Sequence, residues 1–245
     1  WHVETAEKLN VPLILPLAEA HIGENITLED AALVGKKYAA AAKVPVALHL
    51  DHGTDPEIIK KAVDLGFTSV MIDASMESFE ENVRRTKEII AYAHVRSAVV
   101  EAEIGHVGAG ENYENHDESD SQYTTVEEAR RFVEETGVDS LAISIGTAHG
   151  MYKGIPEINF DRLKEIAAAI DTPLVLHGGS SSGDENLKKC AVNGISKINI
   201  FSDLLAAAMK ALEEAPPKTY LDVKELSKKG MQDCLEHYYS VFETK

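Results

Sequence analysis

The chain has 245 residues, of which 44% are hydrophobic and 27% are charged. This length is normal for one α/β barrel, and the composition is that of a globular protein with enough apolar residues for a large core. The formal net charge of −17 argues against a general affinity for nucleic acid or for an anionic membrane surface. It is compatible with an anionic small-molecule ligand, because backbone N–H groups at a helix N-terminus bind phosphate even in an acidic protein.

The two cysteines, Cys190 and Cys234, form no disulfide framework and lack the spacing of metal ligands. They indicate a reducing compartment in which both are free thiols. No apolar run approaches the ~18–20 residues of a membrane span, and no signal peptide is visible. We therefore expect a cytoplasmic protein.

Strands and helices alternate along the chain. Short apolar runs rich in β-branched residues are predicted as strands, and amphipathic runs with i, i+3, i+4 spacing as helices. The predicted strands are Pro12–Leu17, Pro45–Leu50, Ser69–Asp73, Ala98–Ile104, Ser140–Ile145, Pro173–His177 and Lys197–Ile200. The predicted helices are Val3–Leu9, Leu28–Lys43, Asp55–Leu65, Ser78–Ala93, Thr125–Thr136, Phe160–Ile170, Asp184–Val192, Leu204–Glu214 and Asp222–Glu243.

Predicted strands such as Pro45–Leu50 are nearly continuously apolar, and each predicted strand is followed by a helix, which is typical of a parallel sheet covered by helices. This pattern predicts a (β/α)8 TIM barrel as one domain over residues 1–245, with 222–243 as a C-terminal helical extension. A closed barrel needs eight strands, and the helix at Val3–Leu9 has no strand before it. We therefore expect the first strand to be missing from this chain. The alternative is an open, doubly wound sheet of seven strands.

Reactive residues follow the predicted strands, at the end where such barrels carry their active sites. Three histidines stand there after three different strands: His52, His149 and His177. Neutral imidazoles are good zinc ligands, and a catalytic zinc site takes three protein ligands and leaves one position open. We therefore predict a zinc site at these histidines, with Glu103 and Asp73 as further ligands or as partners of the histidines.

Small and polar residues after the last two strands predict a phosphate site. Gly178-Gly179-Ser180 follows one strand, Asn199–Asp203 follows the next, and a helix comes after each. Small residues let the backbone approach a ligand closely, and the helix N-terminus supplies N–H donors. If a first strand is missing, these are strands seven and eight, whose loops often bind phosphate in such barrels. The alternative for the Gly-Gly-Ser run is a plain turn.

Six motifs resemble those of class II fructose- and tagatose-bisphosphate aldolases. In family order they are His49-Leu-Asp-His-Gly53, Met71-Ile-Asp-Ala-Ser75, Val100-Glu-Ala-Glu-Ile-Gly-His-Val-Gly108, Gly146-Thr-Ala-His-Gly150, Leu176-His-Gly-Gly-Ser180 and Lys197-Ile-Asn-Ile-Phe-Ser-Asp203. The resemblance implies a (β/α)8 barrel, a homodimer or homotetramer, and a role in carbohydrate metabolism such as glycolysis. It also implies reversible cleavage of a ketose 1-phosphate or 1,6-bisphosphate to dihydroxyacetone phosphate and an aldehyde, through a zinc-stabilised enediolate.

The resemblance also implies roles for single residues. His52, His149 and His177 would bind zinc, with Glu103 near the metal and Asp73 behind it. Asp51 would be the acid/base for the C4 hydroxyl proton, and Glu111 would move the proton at the substrate carbon. The residues matching the phosphate site are Gly178, Ser180, Asn199 and Ser202, next to Gly179. Backbone carbonyls near Gly150 and Gly178 match a site for a monovalent cation, Na+ or K+.

The sequence departs from the family at the far end of the substrate. Family members often carry arginines on the C-terminal helix that reach the distal phosphate, sometimes across a subunit interface. Lys224 and Lys228 stand at the corresponding positions here, and lysine lacks the planar fork of arginine. We expect these lysines to contact the distal group, which is a second phosphate, another anion or a neutral tail.

Three alternatives differ in chemistry. A lysine Schiff base could stabilise the same negative charge, but we expect Lys197 to open its strand at the far end of the barrel. A zinc hydrolase on this barrel would use a His-x-His pair, which the sequence lacks. A catalytically silent homologue that serves in binding or assembly could lose the metal ligands or Asp51, and all of these are present.

Overall fold

Seven strands form one parallel sheet and lie in it in chain order. The computed structural model describes residues 1–23, 26–107, 123–149 and 154–244. Its strands are β1 Leu13–Ala18, β2 Val46–Gly53, β3 Ser69–Ile72, β4 Val99–Ile104, β5 Ser140–Ile143, β6 Leu174–Leu176 and β7 Ile195–Ile198. The helices are α1 His2–Leu9, α2 Leu28–Ala41, α3 Pro56–Leu65, α4 Phe79–His94, α5 Val126–Thr136, α6 Phe160–Ala169, α7 Asp184–Val192, α8 Ser202–Glu214 and α9 Tyr220–Val241.

The sheet is curled rather than open. Lys197 on β7 donates a hydrogen bond to Glu101 on β4 (2.7 Å), and Asn199, just after β7, donates to Asp51 on β2 (3.0 Å). Side chains of strands so far apart in the sheet meet only if the sheet wraps around them. A doubly wound sheet also reverses its strand order at a switch point, and this order has no reversal. The predicted barrel architecture is confirmed, and the doubly wound alternative is wrong.

Within the described residues, β1 and β7 are the two edges of the sheet. A barrel with one of its eight strands absent would have two such edges. The first strand that we expect before Trp1 lies outside this chain and stays a prediction.

Local sequence signals set several helix ends. Thr125 and Glu128 form a capping box at the start of α5, and the left-handed Gly137 (φ 68) ends that helix. At α4, Ser78 accepts from the N–H of Glu81, but the Glu81 carboxylate bonds to Arg84 instead of returning to the cap. The capping box of α4 is therefore only half formed.

The core lies between the sheet and its helices. Its largest fully buried side chains include Phe67, Phe132, Ile59, Leu141 and Leu163. Inside the curl, by contrast, the strands bury polar and ionisable side chains, among them His49, Glu101, Glu103 and His177. Burying such groups is unfavourable unless they are hydrogen-bonded or paired. Their concentration inside the curl therefore indicates a functional site.

The C-terminal helix α9 packs mainly against α8 and also contacts α1 and α7. It begins two residues before the predicted start because Thr219 and Asp222 form a capping box. Tyr238 on α9 donates a hydrogen bond to Asp203 in the first turn of α8. None of the helices in the described ranges combines the length and apolar character of a membrane span.

Candidate metal centre and active site

Three strand ends bring the predicted histidines together. His52 lies on β2, His149 follows β5 and His177 follows β6, and one ring nitrogen of each lies within 4.8 Å of the others. His52 has a left-handed backbone (φ 48), and the pairing of β2 with β3 shifts register between Leu50 and Gly53. Such irregularities re-aim side chains at strand ends. This explains how Asp51 and His52, which are consecutive, both face the same cavity.

Each histidine donates one ring N–H to a protein acceptor outside the centre. His52 Nδ1 donates to Asp73 (2.8 Å), His149 Nδ1 to the carbonyl of Val107 (3.1 Å), and His177 Nε2 to Glu101 (2.9 Å). These bonds turn the other nitrogen of each ring toward the centre, where a neutral ring offers its lone pair. This is the arrangement in which histidines bind a metal ion, with acceptors behind them that orient the rings.

The facing nitrogens of His52 and His149 are 3.1 Å apart. Burial lowers the pKa of His52, but its hydrogen bond to Asp73 and the nearby charges of Asp51 and Glu103 outweigh burial and raise that pKa to about 9. Burial and the charge of His52 lower the pKa of His149 to about 4. His52 is therefore the more basic ring of this pair, and two imidazole nitrogens this close fit a divalent cation that would accept both lone pairs in place of a proton.

A second acidic group adjoins the histidines. Glu103 and Asp73 form a cluster with His52 that could also hold a metal ion. Burial and the charge of Asp73 raise the pKa of Glu103 to about 8. One oxygen of Glu103 accepts from the N–H of Val107 (2.8 Å), and the other is buried with no partner among the described residues. A buried carboxyl oxygen in this state fits a proton carrier or a further metal ligand.

Asp51 lies beside the three histidines at the wall of the cavity. Its two oxygens accept from Asn199 Nδ2 (3.0 and 3.1 Å), and His49 Nε2 is 3.5 Å away. Burial alone would raise the pKa of Asp51, but the hydrogen bond from His49 and the charge of Lys197 outweigh it and hold the pKa well below the usual value. Asp51 is therefore an ionised carboxylate that can accept a proton from a ligand in the cavity.

Lys197 corrects one expectation. We expected it to open its strand at the far end of the barrel, but β7 begins at Ile195, and the Lys197 side chain is 11% exposed inside the curl. Its ammonium donates to Glu101 (2.7 Å) and lies 3.2 Å from His49 Nε2. The argument that no lysine lies near the site was therefore wrong. The ammonium is engaged by Glu101, however, and Lys197 is not among the residues that line the cavity.

The loop after β6 packs tightly against the start of α8. A Cβ on Gly178 (φ 67) would lie 2.3 Å from the carbonyl oxygen of Ala148, and one on Gly179 would lie 2.8 Å from that of Asn199. Only glycine fits at either position. Ser180 Oγ accepts from the N–H groups of Phe201 and Asp203, so it caps α8 from outside that helix.

Asp203 fastens the same loop from the other side. Its carboxylate accepts from the Ser181 N–H (2.7 Å), the Ser181 hydroxyl (3.0 Å) and the Tyr238 hydroxyl. The loop is thus pinned to the N-terminal end of α8 and, through Tyr238, to α9. A rigid turn at a helix N-terminus is what an anion site requires.

A cavity of about 430 Å³ joins these parts. Asp51, His52 and His149 lie on its wall, with residues 16–18, 20 and 21 from the end of β1 beside them. The predicted substrate-binding residues on its wall are Gly178, Gly179, Ser180, Asn199 and Ser202. His177 is fully buried behind it.

Lys224 and Lys228, which were predicted to bind the substrate, do not line this cavity. Lys224 and Lys228 are exposed on α9, where Lys228 pairs with Glu4 (2.5 Å) and Lys224 lies near the ring of Tyr220. Glu111 and Gly150 lie outside the described residues. Their predicted roles stay predictions.

Sequence reasoning assigned no separate role to Glu101, Lys197, Asp203 or Tyr238, although Asp203 ends the run Asn199–Asp203 that predicted the phosphate site. A signal for Lys197 was present, because it stands two residues before Asn199 and alternate strand residues share a face. Asp203 could have been found as an acidic residue in the first turn of a helix that follows the loop. Tyr238 left no such signal, because only the packing of α9 brings it to Asp203.

Comparison with known proteins agrees with this geometry. The sequence profile of the family described as class II fructose-bisphosphate aldolase matches residues 1–245. The sulfofructosephosphate aldolase of Alkalicoccus urumqiensis is 40% identical over an alignment of 245 positions that covers 98% of this chain and 85% of that protein. The fructose-bisphosphate aldolase of Thermus caldophilus is 40% identical over an alignment of 269 positions that covers 94% of this chain and 87% of that protein.

Solved structures agree as well. The YdjI aldolase of Escherichia coli K12 superposes with a TM-score of 0.87 at 36% identity, covering 99% of this chain and 86% of that one. The fructose-bisphosphate aldolase of Campylobacter jejuni superposes with a TM-score of 0.80 over 98% and 85% of the chains, and at 24% identity it supports the fold alone. Profile, relatives and histidine geometry lead to one conclusion: the chain belongs to the class II fructose-bisphosphate aldolase family.

Proposed function

We propose that the protein is a zinc-dependent aldolase that reversibly cleaves a ketose 1-phosphate or 1,6-bisphosphate into dihydroxyacetone phosphate and an aldehyde. One observation carries the proposal: three histidines direct ring lone pairs at one point, beside an ionised Asp51 and a cavity that ends at a rigid loop and helix N-terminus. The family assignment supports the reaction class.

His52, His149 and His177 would hold the metal, with Glu103 and Asp73 as a further ligand and an orienting group. The nitrogen donors of this set suit zinc. Zinc bound there would act as a Lewis acid that stabilises the negative charge left on the substrate oxygens when the C3–C4 bond breaks.

Asp51 would accept the proton of the C4 hydroxyl during cleavage and return it during condensation. Asn199 holds both of its oxygens, which keeps the carboxylate turned toward the cavity. Glu111 would exchange the proton at the carbon of the dihydroxyacetone phosphate half; this role rests on the family resemblance alone.

The phosphate of that half would bind at the loop Gly178-Gly179-Ser180 and at Asn199 and Ser202. Ser202 is the first residue of α8, where the helix dipole favours an anion. The Gly178 carbonyl, which accepts from the Ser182 hydroxyl (3.0 Å), would be one ligand of a monovalent cation, Na+ or K+. The Gly150 carbonyl would be another.

The chemical group at the distal end of the substrate is the part that the proposal does not fix. Two relatives at 40% identity are named for different substrates, fructose bisphosphate and sulfofructose phosphate. Lys224 and Lys228 would meet the distal group from a second copy of the chain, as part of a homodimer or homotetramer. A second anion suits their charge, and a role in carbohydrate metabolism follows from any of these substrates.

The proposal is tested by measuring dihydroxyacetone phosphate release from a panel of ketose phosphates, with and without a chelator. The panel holds fructose and tagatose 1,6-bisphosphates, their 1-phosphates and an analogue with a sulfonate as distal anion. We expect release from at least one member, its loss on chelation and its return with Zn²⁺. Zinc-loaded, folded protein that releases nothing from any member would favour a silent homologue instead.

A further inference from the structure

Lys197 places a buried ammonium behind the three histidines. Its Nζ lies 2.7 Å from Glu101 Oε2, 3.2 Å from His49 Nε2 and 4.0 Å from Asp51 Oδ1. These partners sit on β2 and β4, so the side chain crosses the interior of the curled sheet from β7. Lys197 itself is not among the residues that line the cavity. Its position is that of a group that acts on the site through other residues.

Glu101 is the link between this ammonium and the metal centre. It is 2% exposed, and its two oxygens have different tasks: Oε2 accepts from Lys197, and Oε1 accepts from His177 Nε2 (2.9 Å). The carboxylate cannot rotate without losing one of these bonds. While it accepts from Nε2–H, His177 keeps its lone pair on Nδ1, the nitrogen left to bind a metal.

We propose that Lys197 is a positioning residue for the zinc site, and that it acts by holding the Glu101 carboxylate, which in turn fixes the ring and the tautomer of His177. The inference rests on the zinc function proposed above. The charge-assisted bond to Lys197 is shorter than an average N–H···O bond and is buried, which makes it a strong one. Without the ammonium, Glu101 would be an uncompensated carboxylate in the interior, and its hold on His177 would be lost.

The first test compares zinc affinity in the unaltered protein and in Lys197→Met. The substitution keeps the length of the side chain and removes its charge. Zinc dissociation constants are measured by competition with a chromophoric chelator. We expect affinity to fall about 10-fold, the lower end of what the loss of a group behind a metal ligand costs. Lys60→Met is the matched control, because it removes an ammonium that pairs with Glu88 (2.9 Å) on the helical surface.

Nuclear magnetic resonance of ¹⁵N-histidine-labelled protein adds a readout that a merely structural role would not move. In the unaltered protein His177 should show a protonated Nε2 and an unprotonated Nδ1. In Lys197→Met we expect this pattern to become mixed, while His94, which lies on the outer surface near Asp139, keeps its signals. An unchanged His177 pattern with unchanged zinc affinity would overturn the proposal.

A double-substitution cycle tests the route through Glu101. Glutamine at 101 can still accept from His177 and needs no counter-charge. We therefore expect Lys197→Met to weaken zinc binding less than about 2-fold when it is added to Glu101→Gln, because coupled residues are not additive. Fully additive losses would refute the route. The comparison of Glu101→Gln with the double variant also decides the matter if Lys197→Met alone fails to fold.

The zinc-binding measurements distinguish a failure of the proposed function from a failure of the proposed role of Lys197. If the unaltered protein binds no zinc, the proposed function fails, whatever Lys197 does. If the unaltered protein and Lys197→Met bind zinc equally well, the proposed function stands and the role of Lys197 is refuted.

Discussion

Asp51 and Asn199 form the contact on which the proposed proton transfer depends. Asn199 Nδ2 donates to the Asp51 carboxylate and lies 3.2 Å from His177 Nδ1, the nitrogen that would bind the metal. The amide therefore stands between the proposed base and a proposed metal ligand. This arrangement lets Asp51 be altered while the three histidines keep their own acceptors.

Replacing Asp51 with asparagine should remove the base and leave the metal. A general base typically contributes about 10²–10⁴-fold to turnover, so we expect kcat in the cleavage assay to fall by about that factor. The zinc content per chain, measured by atomic absorption, should not change. A variant that cleaves at the normal rate would show that another group takes the C4 hydroxyl proton.

Replacing Asp73 with asparagine should weaken zinc binding, in contrast to the replacement of Asp51. Asp73 accepts from His52 Nδ1, and Ser75 donates its hydroxyl to the same carboxylate (2.7 Å). An amide can present a donor to His52 and favour the wrong tautomer, so we expect zinc affinity to fall about 10–100-fold. Chelator competition measures this. Asp64→Asn, the same change on the exposed surface where Asp64 pairs with Arg96, should leave zinc affinity unchanged.

Some residues of the candidate site were predictable from the sequence and others were not, and each case has a physical reason. The histidines and Asp51 lie together, as the pattern predicted, because the strand ends of a barrel converge whatever the details of packing. Lys197 was misplaced because its strand was read as beginning two residues late, and an error at a strand end changes which end of the barrel a side chain reaches. Glu101 was seen as a strand residue, but its task depends on a partner 96 positions away in the chain.

At the scale of elements, α9 holds the proposed phosphate loop in place. Tyr238 donates to Asp203, and Asp203 accepts from both the N–H and the hydroxyl of Ser181. The left-handed backbone of Ser181 (φ 59) is unusual for a residue other than glycine. The bonds to Asp203 stabilise that conformation, so a contact on the outer helix maintains the shape of an inner loop.

Replacing Tyr238 with phenylalanine should loosen this loop and leave the zinc site intact. A hydrogen bond to a charged group contributes about 1.5–3 kcal/mol, so we expect a lower free energy of unfolding and a raised KM for the phosphorylated ketose. Zinc affinity should not change. Tyr239→Phe is the matched control, because its hydroxyl donates to the Pro12 carbonyl (3.0 Å), away from the loop. Equal KM values in the two variants would show that α9 does not brace the loop.

The elements themselves were largely predictable, because each depends on local pattern. Apolar runs, capping residues and the glycine after α5 located the strands and helices to within a few residues. The contact of α9 with α8 was not predictable, because the sequence of an amphipathic helix states which face is buried but not which helix covers it.

At the scale of the whole molecule, the strand count and the order of the motifs predicted the barrel because its connections are short and its parallel strands follow the chain. The distal end of the substrate site could not be predicted in the same way. Lys224 and Lys228 are exposed on α9, so their proposed contact with the substrate depends on the proposed homo-oligomer, and association of copies leaves no periodic pattern in the sequence.

Zinc should stabilise the entire fold, because its proposed ligands come from three separate strand ends and cannot converge in the unfolded chain. A ligand at 1,000 times its dissociation constant adds about 4 kcal/mol to the free energy of unfolding. For a chain of this size that raises the thermal midpoint by about 8–16 °C. Differential scanning calorimetry of chelated protein with added Zn²⁺ measures the shift, and Mg²⁺, which prefers oxygen ligands, should produce almost none. Equal midpoints with both ions would mean that the three histidines do not act as one site.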